Sequence, residues 1–287
     1  MAATSPKIQL LQASVDEGDD ESHFRFLVDG KFVKYVTVDP KLYTVDDMCF
    51  GPTLISLLPP FPAGDWNDGH IKRNSKTGQP HFARMTRTQF PGVKHTWHAT
   101  RVDQLELHMG KKLRSNVYEA MGRRFNDTVV AKFAIFPWEI PHLEAETVAY
   151  EWIEGRKIGP KFLGHLTEED RVIGFLMERI PDRQHASPED LSLCQQTLSR
   201  LHKLDIRHGD VNRHNFLIHH GQAILIDFDS ASKCMDSKAL QEEFQSLLRE
   251  LKDASGKGGS LAVTDGHGKL LRAGRSPSKY RTMLTSG

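Results

Sequence analysis

The sequence predicts an α+β protein, with short antiparallel strands carrying the chemistry and a few amphipathic helices packed behind them. Three observations predict it. Residues 24–38, FRFLVDGKFVKYVTV, alternate apolar and polar positions on both sides of Asp29-Gly30, a strong hairpin signal. Residues 216–226 place two apolar runs, Phe216-Leu217-Ile218 and Ala223 to Ile226, around the polar break His219-His220-Gly221-Gln222, again a hairpin. Residues 238–251, KALQEEFQSLLREL, repeat apolar positions with a helical period instead.

Composition sets the outer limits. The chain has 287 residues, enough for one large or two modest domains with a real core. A formal net charge of +1 gives no basic excess that would point to nucleic acid, and there is no acidic tail. Three scattered cysteines, Cys49, Cys194 and Cys234, form neither a disulfide framework nor a zinc pattern, which fits a reducing compartment. The first twenty residues lack a signal-peptide pattern, and the most apolar window, 52–62, is short and broken by prolines. The expectation is a cytoplasmic protein with no membrane and no nucleic-acid partner.

Taken in order, residues 1–20 are polar and predict a frayed end before the 24–38 hairpin. A short helix around Thr53–Leu58 is stopped by Pro59-Pro60. The next stretch, rich in Gly, Asp, Asn and aromatics, reads as a structured loop. Asp65, Trp66, Asp68 and His70 would suit a polar ligand, but a packed surface loop is the favoured account of them. His81, His95 and His98 lack ligand spacing, so no metal site is assigned to them. Leu105–His108, Val117–Ala120 and Thr128–Phe133 read as strands. Pro141 to Ile153 has helical periodicity through Leu143, Val148 and Ile153, with proline near its first turn. Arg171 to Ile180 reads as a strand. Ser187 is an N-cap candidate for a helix beginning at Pro188, with Glu189 and Asp190 in its first turn.

The chain then reaches its densest stretch, His208 to Ser230, HGDVNRHNFLIHHGQAILIDFDS. Asn215 follows Asp210 by five residues, and Asp227 follows Asn215 by twelve. A hairpin over 216–226 returns its two ends to one place, so Asn215 and Asp227 emerge side by side with Asp210 on the loop leading in. Two carboxylates and an amide oxygen around a small space suit a hard cation such as Mg²⁺, with phosphates completing the shell. Asp210 could instead accept a proton from an attacking hydroxyl. Two solvated aspartates beside an ordinary hairpin would give the same residues.

HGDxxxxN followed by IDFD resembles the catalytic loop and metal-binding hairpin of the protein-kinase-like fold, and is closer to its aminoglycoside and choline phosphotransferase branch than to Ser/Thr kinases. The wider sequence is similar to small kinase-like proteins of filamentous fungi. The resemblance implies a two-lobe fold with a minimal large lobe and an extra N-terminal region. The implied division is residues 1–100, a kinase-like domain over 101–254 (small lobe 101–180, large lobe 181–254), and a tail from 255 to 287 rich in Gly, Ser and basic residues that predicts disorder.

The resemblance also implies roles. Gly110 to Asn116 would be a phosphate-covering turn, with Ser115 and Asn116 where glycines usually stand; an ordinary hairpin explains it equally. Lys132 ends VVAK and matches the lysine that contacts the α and β phosphates. Its glutamate partner would be Glu146, favoured by similarity to an ExxxY pattern with Tyr150, or else Glu144. Backbone groups near Glu178 would meet adenine, although the apolar residues 175–177 are equally plain core. Asp210 would be the catalytic base, and Asn215 and Asp227 the metal ligands. With no arginine before Asp210 and no long activation segment, activation by phosphorylation is not implied. The implied function is ATP- and Mg²⁺-dependent phosphoryl transfer to a small-molecule hydroxyl. The alternatives are a pseudokinase or nucleotide-binding scaffold regulating a protein partner, an atypical protein kinase, or transfer of a nucleotidyl group.

Overall fold

In the computed structural model, the described residues are 6–253 and 255, with three short backbone segments at 263–264, 270–271 and 281–283. The chain divides into two compact units: Met1–Phe90 with Gly274–Gly287, and Pro91–Ala273. The division falls after Phe90, ten residues earlier than the boundary expected at 100.

The first unit is a sheet. Strands β1 (Ile8–Val15), β2 (Ser22–Val28) and β3 (Phe32–Val38) are antiparallel neighbours, and the predicted Asp29-Gly30 turn joins β2 to β3 with both residues at positive φ. Two short helices follow, α1 (Val45–Cys49) and α2 (Gly51–Leu57). The first was not expected from sequence, although Thr44 caps it by accepting from the Asp47 N–H. They form a crossover, so β4 (Asp68–Arg73) lies parallel to β3, and β5 (Pro80–Thr86) pairs back against β4. The stretch read as a loop thus becomes strand from Asp68 onward. Three of its candidate ligand residues take partners within the unit. Trp66 is buried and donates to the Pro62 carbonyl; Asp68 takes the Thr88 hydroxyl; His70 meets Asp39 at 2.8 Å.

The second unit holds the order of elements that the motifs implied. Strand β6 (Arg101–Asp103) leads to β7 (Leu107–Arg114), β8 (Val117–Gly122) and β9 (Val129–Phe133). Helix α3 (Ile140–Trp152) begins with Pro141 in its first turn. Strands β10 (Phe162–Glu168) and β11 (Arg171–Glu178) complete a six-stranded sheet of order β6-β10-β11-β9-β8-β7. Beyond it lie β12 (Gln184–His185), α4 (Leu191–His202), β13 (Ile206–Arg207), the hairpin β14 (Phe216–His219) and β15 (Gln222–Leu225), β16 (Ser232–Lys233) and α5 (Ser237–Lys252). Ser187 is the N-cap residue of the turn before α4, as expected, and donates from its N–H and hydroxyl to Asp190 Oδ2 at 2.9 and 2.8 Å. This is a kinase-like arrangement of two lobes with a small second lobe.

An aromatic knot ties the lobes where the site will form. Tyr150 of α3 lies 5.7 Å from Phe162, 5.0 Å from Phe175 and 5.5 Å from Phe228, centroid to centroid. Such pairs add about 0.5–1.5 kcal/mol each beyond the area they bury. Phe228 is the residue after Asp227, so this packing fixes the chain at the candidate metal ligand. The expected tail falls mostly outside the described residues; its described segments are the strands β17 (Val263–Thr264), β18 (Leu270–Leu271) and β19 (Arg281–Met283), the last paired with β1.

Candidate active site

Strand β9 carries Lys132 to a point between two carboxylates. Its ammonium is 2.6 Å from Glu146 Oε2 and 2.5 Å from Asp227 Oδ1. The two candidate glutamates of α3, Glu144 and Glu146, are thereby separated. Residues two apart on a helix project about 200° apart around its axis. Glu146 faces the sheet, whereas Glu144 accepts from the backbone N–H groups of Lys94 and His95 at 2.6 and 3.0 Å. Glu146 also accepts from the Phe228 N–H at 3.3 Å. One buried carboxylate therefore fixes both the lysine and the residue that follows Asp227.

Asp227 itself is left-handed, with φ 68° and ψ 63°. For a residue with a side chain this costs about 1–3 kcal/mol and persists only where surroundings impose it. Here the imposing contacts are the Phe228 N–H on Glu146 and the Phe228 ring in the aromatic knot.

The loop that carries Asp210 is held by neutral donors. Gly209 adopts φ +85°, and an added Cβ would lie 2.4 Å from the Ser230 carbonyl oxygen, so glycine is required there. His208 is fully buried. It donates from Nε2 to the Ile226 carbonyl at 3.2 Å and accepts the Asp210 N–H at Nδ1, the pattern of a neutral imidazole. Burial also holds its pKa below the ordinary value. The Asn215 amide donates to the Asp210 carbonyl oxygen at 3.0 Å and to Asp210 Oδ2 at 3.2 Å, and Asn212 donates to the same Oδ2 at 3.0 Å. With its Nδ2 so committed, Asn215 turns Oδ1 outward toward Asp227.

A cation already occupies the point those acceptors face. Arg114, at the end of β7, donates from Nη1 to Asn215 Oδ1 at 3.2 Å and to Asp227 Oδ2 at 3.4 Å, and its other nitrogen meets the His214 carbonyl. An amide oxygen and a carboxylate oxygen converging on one positive nitrogen form a donor set that Mg²⁺ would accept. The charges are tuned accordingly. Burial pushes the Asp227 carboxyl up, but Lys132 and Arg114 outweigh it and hold it below the usual carboxylate value. Burial likewise opposes the Lys132 charge, and Glu146 and Asp227 outweigh it, so the lysine stays protonated. Burial raises Glu146 to about 7, since the lysine that opposes the shift is shared with Asp227.

Other expected residues lie differently. The strand β7 runs through Gly110 to Arg114, so the turn is only Ser115 and Asn116, and Gly110 sits at an irregularity opposite Glu119. Ser115 is exposed; Asn116, at φ +59°, turns its amide onto Glu139 at 2.5 Å. The Glu178 N–H is committed to the Lys161 carbonyl at 2.9 Å, because β11 pairs to its last residue; Arg179 and Ile180 are the first beyond the strand. Sequence reasoning missed Arg114, Asn212 and Glu243. Glu243 of α5, 5% exposed, accepts the N–H groups of His208 at 3.1 Å and Gly209 at 2.7 Å and meets His202 Nε2 at 2.8 Å. Its signal was a glutamate in register with Leu247 and Leu251 on one helix face.

Three relatives and one family are similar to parts of the chain. Residues 183–264 match the Lipopolysaccharide kinase (Kdo/WaaP) family. The chain is 34% identical over 110 residues to a "Probable bifunctional tRNA threonylcarbamoyladenosine biosynthesis protein" of Methanoculleus marisnigri, covering 34% of this chain and 21% of that protein. It is 26% identical over 160 residues to the protein of the same description from Methanospirillum hungatei, covering 51% and 31%. It is 31% identical over 113 residues to the "EKC/KEOPS complex subunit BUD32" of Yarrowia lipolytica, covering 36% and 46%. The chain spans less than half the length of each of these relatives. Together with the fold, these matches identify the second unit as kinase-like.

Proposed function

We propose that the protein is an ATP- and Mg²⁺-dependent phosphotransferase that phosphorylates a hydroxyl of a small molecule, acting in the cytoplasm. The observation that carries the reading is the convergence of Asn215 Oδ1 and Asp227 Oδ2 on one cation beside the Lys132–Glu146 pair. Asn215 and Asp227 would hold Mg²⁺, which neutralises charge on the transferring phosphoryl group. Lys132, aimed by Glu146, binds the α and β phosphates. Asp210, its Oδ2 fixed by the Asn212 and Asn215 amides, orients the acceptor hydroxyl and takes its proton. Ser115 and Asn116, in the turn after β7, cover the phosphates, and the chain just beyond Glu178 meets the base. In this chemistry a protein mainly positions groups and stabilises charge. Among the described residues no helix is long and apolar enough to cross a membrane.

The test is Mg²⁺-dependent nucleotide turnover in Asp227→Asn and Asp210→Asn, with far-UV circular dichroism confirming the fold. Asp227→Asn should abolish turnover, and Asp210→Asn should lower it by about 10²–10⁴-fold. Turnover retained in Asp227→Asn overturns the metal assignment.

A second reading is a nucleotide-binding subunit of a protein complex. The likeness to an EKC/KEOPS complex subunit favours it, as does a phosphate-covering turn without glycine. A Mg²⁺-dependent thermal shift with ATP and no ADP release, with acceptors supplied, would select it.

A further inference from the structure

Arg114 stands where the proposed function requires a metal ion. Its Nη1 donates to Asn215 Oδ1 at 3.2 Å and to Asp227 Oδ2 at 3.4 Å, and its Nη2 donates to the His214 carbonyl. The two cations at Asp227 are held differently. Lys132, on Oδ1, is gripped by a second carboxylate, Glu146, at 2.6 Å. Arg114, on Oδ2, has Asp227 as its one carboxylate partner among the described residues, and its other two partners are neutral oxygens. Lys132 is therefore the fixed cation of the pair and Arg114 the exchangeable one.

Exchange leaves Arg114 with a charge to satisfy. Asn215 Oδ1 and Asp227 Oδ2 cannot serve Mg²⁺ and a guanidinium together, because two cations at one point repel. The His214 carbonyl lies outside that donor set, so Nη2 can keep it while Nη1 turns away. The carboxylates nearby are spoken for. Burial opposes the Arg114 charge, and Asp227, Glu146 and Asp210 favour it, in that order. Glu146 is engaged by Lys132 and the Phe228 N–H, and Asp210 Oδ2 by the Asn212 and Asn215 amides. What arrives with the metal is a phosphate, since Mg²⁺ in such sites bridges the outer phosphates of the nucleotide.

The hairpin gives a second reason. Arg114 pairs with Val117, so a turn of only Ser115 and Asn116 separates β7 from β8. It has no glycine, and Asn116 commits its carbonyl to the Phe133 N–H and its side-chain amide to Glu139. A turn so short brings few backbone N–H groups to a phosphate. The guanidinium just before it supplies donors and charge instead, in a fork that matches phosphate oxygens. We propose that Arg114 is a nucleotide-binding residue that yields Asn215 and Asp227 to Mg²⁺ and turns onto the terminal phosphate of ATP, so that the site prefers triphosphate to diphosphate. The proposal deepens the phosphotransferase reading and rests on it for the presence of Mg²⁺ and ATP.

The experiment titrates the full chain with three probes: adenylyl imidodiphosphate with Mg²⁺ and ADP with Mg²⁺, both by calorimetry, and Mn²⁺ without nucleotide, by electron paramagnetic resonance. The wild type should bind the triphosphate analogue tighter than ADP. Arg114→Gln should cut that preference at least about 10-fold, the size of one charge-assisted contact, while ADP affinity falls by less than about twofold. The same variant should bind Mn²⁺ at least about fivefold tighter, because the cation competing for Asn215 and Asp227 is gone. Arg114→Lys should recover part of the triphosphate preference. Weaker analogue binding together with stronger metal binding is a pair of opposite changes that a folding defect would not give. An unchanged preference, an equal loss of analogue and ADP, or Mn²⁺ binding that does not strengthen in Arg114→Gln overturns the assignment and leaves the phosphotransferase reading standing. A wild-type protein that binds neither nucleotide overturns that reading, and the role of Arg114 with it.

Discussion

Two glutamates in the kinase-like unit are buried almost equally, Glu146 at 1% and Glu243 at 5% exposed, and their carboxyls shift in opposite directions. Both feel burial first, and burial raises both. At Glu243 the His202 hydrogen bond and the Gly209 and His208 N–H groups outweigh it, and the pKa falls below the ordinary value. At Glu146 the one strong donor is Lys132, which Asp227 shares, and the pKa rises to about 7. The lesson concerns donor count, not depth. Glu243 collects enough donors to make its charge comfortable, and so acts as an anchor for the loop that carries Asp210. Glu146 is left under-compensated because its lysine is also bound to Asp227.

The largest expected effect is on the anchor. Removing the Glu243 carboxylate by Glu243→Ala strands two backbone N–H groups and His202, and should cost about 3–5 kcal/mol in chemical denaturation. Turnover should fall with it, since His208 and Gly209 lose their tether. Glu146→Gln is the contrast. It removes a charge that burial already penalises, so stability should change by less than about 1.5 kcal/mol while turnover falls about 10²-fold through misplacement of Lys132. Comparable stability losses in the two variants would break the distinction.

A pH series sharpens it at smaller amplitude. Glu146, raised from 4.5 to about 7, binds its proton more readily in the folded state. Its contribution to stability is present at low pH and is lost as pH rises through that window. Glu243, lowered from 4.5, contributes stability above that value, lost as pH falls through its folded pKa. Relative to Glu146→Gln, the wild-type protein should therefore lose unfolding free energy between about pH 4.5 and 7. Relative to Glu243→Gln, it should lose it below about pH 4.5. The same slope in both comparisons would remove the contrast.

What the sequence revealed follows the same division. Lys132, Asp210, Asn215 and Asp227 were legible because a strand end, a loop and a hairpin fix them by local spacing. Glu146 could be separated from Glu144 only by likeness to relatives, because the choice depends on backbone N–H groups at Lys94 and His95, far away in the chain. Arg114 was hidden by register: the turn expected from Gly110 is really strand, and only that strand's continuation carries a guanidinium to Asp227. The commitment of the Glu178 N–H was hidden for a similar reason, since it depends on strand pairing with a distant residue. In the first unit the Asp29-Gly30 hairpin was plain from local alternation, whereas β4 was obscured by the glycine and polar residues that precede it. Its pairing with β3 is parallel and needs a crossover that local pattern does not display.

The smallest effect tests the cause assigned to Glu146. If sharing of Lys132 keeps its pKa high, then Asp227→Asn removes both the competitor for the lysine and a nearby negative charge, each of which favours protonated Glu146. Carboxyl-carbon NMR of Glu146 should show it titrating below about 7 in that variant, although the glutamate itself and its burial are unchanged. Glu243, whose donors do not include Lys132, should titrate as in the wild type. A Glu146 titration unmoved by Asp227→Asn would assign the shift to burial alone, and the lysine would then be a fixed partner of one carboxylate.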